Sequence, residues 1–340
     1  FRDATAKMRW IYLPSAQSGG AGSAVISNAV SHTVLKVTVS GTNLTISGIF
    51  KNGDDLTDGA KTLDLSTPVE SLDYVTQYAT INGSALKSPF TKGAENLYLP
   101  ETLTTLGGQM IDCWGGVSSL RRVRFPKNLT AIKSYGGTAG YQFRSCTNLL
   151  EVLPAGILES GQITDYTNGN NMFQNCSHFT NCINFSTVAK IPSAILLDCP
   201  SVAGRVDIGH VTSVGGQAFR NCSKLIFPDP LVMPNVTSIG GYAFGTTLGI
   251  TDFILPSMTR LVQTSFYCAP SPRQMHADNV TQIDGRFWDY YGGHLADMYI
   301  RSKTCQQIKA MSGFPFKAGA AVRFHGSDGI VTGDGRITLG

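Results

Sequence analysis

Phe143-Arg-Ser-Cys146-Thr-Asn-Leu149, Phe173-Gln-Asn-Cys176 and Phe219-Arg-Asn-Cys222-Ser-Lys-Leu225 are three copies of one phrase. A second phrase recurs as Leu103-Thr-Thr-Leu106-Gly-Gly, Val211-Thr-Ser-Val214-Gly-Gly and Val236-Thr-Ser-Ile239-Gly-Gly, with plainer copies at Met258-Thr-Arg-Leu261 and Val280-Thr-Gln-Ile283. The apolar anchor returns at Met110, Phe143, Phe173, Leu196, Phe219, Phe244, Phe266 and Phe287, in steps of 33, 30, 23, 23, 25, 22 and 21 residues. Units that short cannot bury a core alone and must stack on their neighbours.

A third signal is an alternating apolar pair ended by proline: Leu97-Tyr-Leu99-Pro100, Val123-Arg-Phe125-Pro126 and Phe253-Ile-Leu255-Pro256. Alternation places the apolar side chains on one face of a strand, and proline suits a strand end because it has no amide hydrogen to donate. The aliphatic residue of the Thr-x-Ile-Gly-Gly phrase is expected to point inward, with the glycines making a corner at positive φ. Phe-x-x-Cys-x-x-Leu gives three inward anchors at near-helical spacing, which predicts a single helical or 3₁₀ turn. Phe143, Phe173, Phe219 and Phe244 should therefore stack in the interior, as should Cys146, Cys176, Cys199 and Cys222.

This consensus resembles the BspA-like class of leucine-rich repeats, over Leu63 to Phe316. The resemblance implies a β-rich solenoid of leucine-rich repeats, about 22–33 residues each with short helical turns. It also implies a bacterial surface protein, since the class occurs in such proteins. Three segments are expected: a small β segment or cap with a linker over 1–62, the solenoid over 63–300, and a cap with a tail over 301–340. Val34–Val39 and Leu44–Ile49 are β-branched runs joined by Ser40-Gly-Thr-Asn43, a hairpin signal. Insertions around Tyr135–Gly140 and Glu159–Asn171 are expected to protrude as loops.

With 340 residues, 42% apolar and 15% charged, the chain can bury a large core. No apolar run is long enough to span a membrane. Net charge is only +4 and no nucleic-acid motif is visible, which disfavours nucleic acid as a partner. Eight cysteines fall mostly at one repeat position, so buried thiols are expected, with Cys182 as the one candidate for a disulfide. The Asn-x-Ser/Thr triplets, at Asn128, Asn175, Asn221, Asn235 and elsewhere, read as by-products of the repeat rather than glycan acceptors. Six histidines stand apart in sequence with no catalytic pattern, so no enzyme, cofactor or metal site is expected.

Two surface features exceed what the core demands. Arg121, Arg122, Arg124 and Lys127 lie where no acidic residue occurs between Asp112 and Glu151, and could meet an acidic glycan, phosphate or protein. Trp288, Tyr290 and Tyr291, with Trp114, are aromatic residues suited to glycan or protein recognition. The function expected is non-enzymatic binding or adhesion to a protein or glycan on a host cell, another cell or a matrix, outside the cell or at its surface. A phage or prophage tail-fibre or receptor-binding module, on the virion, is one alternative. A polysaccharide-degrading β-solenoid enzyme is another.

Overall fold

The computed structural model describes residues 10–13, 22–28, 33–40, 43–51, 62–64, 80–82, 95–98, 104–106, 118–132, 143–166, 169–246, 249–262, 265–266, 273–284, 295–314 and 322–340. The chain divides into two units, Phe1–Asn181 and Cys182–Gly340. Both are built from β-solenoid coils.

The first unit opens with four antiparallel strands: β1 (Trp10–Leu13), β2 (Gly22–Asn28), β3 (Thr33–Ser40) and β4 (Asn43–Lys51). The hairpin read from the sequence is β3 and β4. Strand β4 then pairs in parallel with β6 (Thr80–Asn82), which leads to β8 (Thr105–Leu106) and β10 (Ala131–Ile132) in one seven-stranded sheet. The opposite sheet is parallel throughout: β5 (Thr62–Asp64), β7 (Asn96–Tyr98), β9 (Arg122–Arg124) and β11 (Glu151–Leu153). Val123, Phe125, Ile132, Phe143, Val152 and Phe173 are buried.

In the second unit the Thr-x-Ile phrase forms the short strands β14 (Ser213–Val214) and β17 (Ser238–Ile239), with β12 (Lys190–Ile191) pairing beside β14, followed by β19 (Arg260–Leu261) with β21 (Gln282–Ile283). On the other side β13 (Ala203–Arg205) pairs with β15 (Lys224–Ile226). A seven-stranded sheet follows, of β16 (Leu231–Val232), β18 (Asp252–Ile254), β20 (Gln274–His276), β22 (Asp297–Tyr299), β23 (Arg323–His325), β24 (Gly329–Thr332) and β25 (Ile337–Leu339). The last two joins are antiparallel, so the tail extends the sheet. Helix α1 (Cys305–Lys309) starts at a capping box, with Thr304 accepting from the Gln307 amide and the Gln307 side chain accepting from the Thr304 amide.

The anchors stack as the repeat predicts. Phe143 and Phe173 lie 5.4 Å apart and Phe219 and Phe244 5.9 Å apart, all fully or nearly buried. Cys146, Cys176, Cys199 and Cys222 are buried thiols beside them. Cys182 is also a buried thiol rather than half of a disulfide, and its Sγ lies 3.6 Å from the Arg205 carbonyl. Cys113 and Cys268 lie outside the described residues.

Three local expectations are corrected. The anchor phrase keeps the i to i+3 hydrogen bonds expected of a 3₁₀ turn, but in successive four-residue turns rather than one helical turn. Cys222 N–H donates to Phe219 O and Leu225 N–H to Cys222 O, but Asn221 between them has φ of 61°. Left-handed residues sit two positions either side of the anchor in coil after coil: Ala194 and Asp198, Gln217 and Asn221, Tyr242 and Thr246. Each costs about 1–2 kcal/mol. What offsets it is the direction of the amides: those of Gln217, Phe219 and Asn221 all donate to the next coil, at 2.8, 2.9 and 2.9 Å.

The glycine pairs do not serve positive φ either. Gly215 and Gly240 have ordinary backbone, but a Cβ on Gly240 would come 2.4 Å from Gly216 N, and one on Gly215 2.4 Å from Ser193 N. They are there because successive coils touch backbone to backbone. The insertion at Glu159–Asn171 does not simply protrude: Ile163 and Tyr166 are buried, and Gln162 Nε2 donates to the Leu129 carbonyl at 2.9 Å. Thr164 N–H donates to Thr130 O and Ile132 N–H to Asp165 O, so the segment lies alongside β10. Tyr135–Gly140 lies outside the described residues.

Candidate functional site

Strand β9 carries the basic residues because Val123 turns inward and its neighbours must turn outward. Arg121, Arg122 and Lys127 are exposed and Arg124 is half-buried. The charge is not as undiluted as the linear sequence implies. Arg122 Nε donates to Glu151 Oε1 at 2.6 Å, from the residue directly opposite on β11. The pair is exposed, and such pairs contribute about 0–1 kcal/mol. Beside them, Leu150 is 40% exposed and its amide donates to Arg121 O. The fold thus gathers Arg121, Arg122, Arg124 and Lys127 at one strand and its end. Trp114, Trp288, Tyr290 and Tyr291 lie outside the described residues.

Sequence reading missed a second constellation, on the outer face of β18, β20, β22 and β23. The inner positions of these strands, Phe253, Met275, Met298 and Phe324, are fully buried. On the outer face Ile254, His276, Tyr299 and His325 share one row by register. The His276 and Tyr299 rings are 4.2 Å apart and parallel to within 3°, and Tyr299 and His325 are 4.3 Å apart. The Arg301 guanidinium lies 4.9 Å from the Tyr299 ring centroid. The only sequence signal would have been the coil-to-coil spacing of these four residues.

The neighbouring row is Asp252, Gln274, Asp297 and Arg323. Asp297 is nearly buried and fully engaged: Arg323 donates to both its oxygens, at 2.7 and 2.6 Å, and His325 Nε2 lies 2.6 Å from Oδ1. Those hydrogen bonds, from Arg323 first, hold its carboxyl below the usual carboxylate range. Asp252 is the contrast. Its Oδ1 is out of solvent and accepts no hydrogen bond, with His276 Nε2 3.7 Å away. Burial pushes this carboxyl up, against the pull of His276. Asp229, just before β16, is held low: burial acts to raise it, but Thr251 Oγ1 and the amides of Thr251 and Asp252 donate to it.

The Cys222 thiol has no such chemistry. Burial pushes Cys222 up to about 12. Three Asn-x-Thr triplets are explained by stacking, since the Thr130, Thr237 and Thr281 hydroxyls donate to carbonyls one coil earlier. Among the described residues no group of three or more His, Cys, Asp or Glu side chains is placed to hold a metal ion. No helix among them is long and apolar enough to cross a membrane.

No curated protein matches the chain. Among solved structures it is similar to a leucine-rich repeat protein from Bacteroides ovatus ATCC 8483, at 13% identity and a TM-score of 0.53, over 92% of this chain and 79% of that one. A leucine rich cell surface protein from Faecalibacterium prausnitzii A2-165 aligns at 15% identity and a TM-score of 0.48, over 84% of this chain and 78% of that one. The BspA type leucine rich repeat region, in six copies, matches residues 69–226, 141–271 and 205–311. Most of the chain lies within those matches, and it belongs to the BspA-type leucine-rich-repeat family.

Proposed function

We propose that the protein is a non-enzymatic recognition module, acting in adhesion at a bacterial surface, and that Arg121, Arg122, Arg124 and Lys127 take an acidic partner. The observation that carries this reading is the outward placement of both arginines of β9, with Arg121 and Lys127 exposed at its ends. A glycan or protein bearing carboxylate, sulfate or phosphate would meet several cations there, beside the acidic residues Glu151 and Glu95. Arginine's planar donors suit such groups bidentately. The family resemblance supports surface recognition, and the name of the Faecalibacterium protein places that relative at a cell surface. Trp288, Tyr290, Tyr291 and Trp114 are retained as a second set of candidate contacts for a stacked ligand.

One observation favours a polysaccharide-degrading alternative. Asp229 is held low and Asp252 high, and they face each other electrostatically, the pattern of an acid and base pair. Both Asp229 oxygens, however, are taken up by Thr251 and the amides beside it, which fits a structural role.

The test is a glycan array and a whole-cell binding assay. The parent is compared with the Arg121→Glu, Arg122→Glu, Arg124→Glu triple variant and with Trp288→Ala, Tyr291→Ala. Loss of binding to acidic glycans in the triple variant supports the arginine site. Equal binding by all three proteins removes both candidate sets, and cleavage of any polysaccharide by the parent overturns the non-enzymatic reading.

A further inference from the structure

The outer face of the second unit's seven-stranded sheet has a composition that solvent does not require. Outward positions on a strand facing water are usually polar or charged. Here one row reads Val232, Ile254, His276, Tyr299, His325 and Ile330 across six consecutive strands. Val232 is 41% exposed although it has no core to fill. No carboxylate, lysine or arginine stands in the row. Its rungs are about 4.8 Å apart, so it forms an apolar and aromatic track running across the strands.

The parallel row supplies planar hydrogen-bonding groups: the Asp252 carboxylate, the Gln274 amide, the Asp297 carboxylate and the Arg323 guanidinium. Asp297 pairs with Arg323, and Asp252 lies 3.7 Å from His276, so each carboxylate of the row has a basic neighbour of its own. The row offers donors and acceptors to a ligand at the exposed Gln274 and Arg323.

We propose that this face binds an extended, uncharged polysaccharide segment lying along the track. Its C–H faces would rest on Val232, Ile254 and the edges of the ring stack, and its hydroxyls would bond with the exposed Gln274 and Arg323. A chain rather than a single sugar fits, because the same two-row pattern continues from strand to strand. The site shares no residue with the arginines of β9 and rests only on the reading of the chain as a recognition module.

The experiment is affinity electrophoresis of the purified protein through native gels containing dextran, laminarin, yeast mannan or xyloglucan, with heparin as the acidic control. Retardation by at least one neutral polysaccharide is expected. Val232→Arg and Gln274→Ala, both at exposed positions, should each weaken it about tenfold or more, with melting temperature unchanged. Tyr299→Ala should weaken it further. The arginine-reversed variant should be retarded as strongly as the parent. No retardation by any of the four neutral gels overturns the proposal, as does retardation that Val232→Arg leaves intact. Retardation by heparin alone, lost in the arginine-reversed variant, also overturns it while leaving the module reading in place.

Discussion

The thiol of Cys222 lies 2.9 Å from the carbonyl oxygen of Leu196, one coil earlier, and Cys176 stands in the same relation to Phe143 O, also at 2.9 Å. In these two repeats the cysteine is therefore a buried donor that ties its coil to the anchor of the one before. Burial also pushes Cys222 up to about 12, so little thiolate is present at neutral pH. Cys222 should resist alkylation by iodoacetamide at pH 8 in the native protein and react once the protein is unfolded in guanidinium. Peptide mass spectrometry reads both states, and rapid native labelling would contradict the assignment.

Phe219 touches Phe185, Phe227 and Phe244 and is fully buried. Truncation to alanine leaves a cavity in a stack that cannot close without moving neighbouring coils. Phe219→Ala should lower stability by about 3–5 kcal/mol in denaturant unfolding. A change below about 1 kcal/mol would mean that the anchor stack is not the core.

Gly240 and Gly249 separate two reasons for glycine. Gly249 has φ of 86° and open space around a would-be Cβ, so alanine there meets only the left-handed penalty of about 1–2 kcal/mol. Gly240 has ordinary backbone, but its Cβ would strike Gly216 of the preceding coil. Gly240→Ala should destabilise more than Gly249→Ala in thermal melts, and the reverse order would refute the close-contact account.

The sequence made the ladder legible because one period governs the inward phenylalanines, the thiols and the strands alike. What it hid were relations created by stacking. Turn propensity suggested positive φ at the glycine pairs, whereas backbone contact between coils is what requires them. The Arg122–Glu151 pair spans 29 residues, close to one coil, so a linear search for acids near the arginines could not count Glu151 as a neighbour. His276 and His325 looked solitary for the same reason, with Tyr299 between them only after the coils stack. The Glu159–Asn171 insertion read as a loop, and its Gln162–Asp165 stretch instead found backbone partners beside β10.

The two carboxylates on the outer face should respond oppositely to acid. Asp297 is held low in the fold, so its contribution is present above the ordinary aspartate range and fades as pH falls through its folded value. Asp252 is held high, so its ionised form opposes folding at neutral pH, and that opposition is relieved as pH falls through its raised value. Asp252→Asn should raise the melting temperature at pH 7, with the gain shrinking toward pH 4. Asp297→Asn should lower it at pH 7, with the loss shrinking below pH 4. Melting curves across that range decide the matter, and like-signed effects at pH 7 would contradict the assignment.

The central claim is recognition of an acidic partner by the arginines of β9. Surface plasmon resonance over immobilised heparin, at low and at physiological ionic strength, tests it most directly. The account predicts binding by the parent that weakens as salt rises, because exposed charges are screened beyond about 8 Å at physiological ionic strength. It predicts loss of that binding in the Arg121→Glu, Arg122→Glu, Arg124→Glu variant, whose fold should be unchanged. Binding of equal strength by parent and variant, or a parent that does not bind even at low salt, would contradict it.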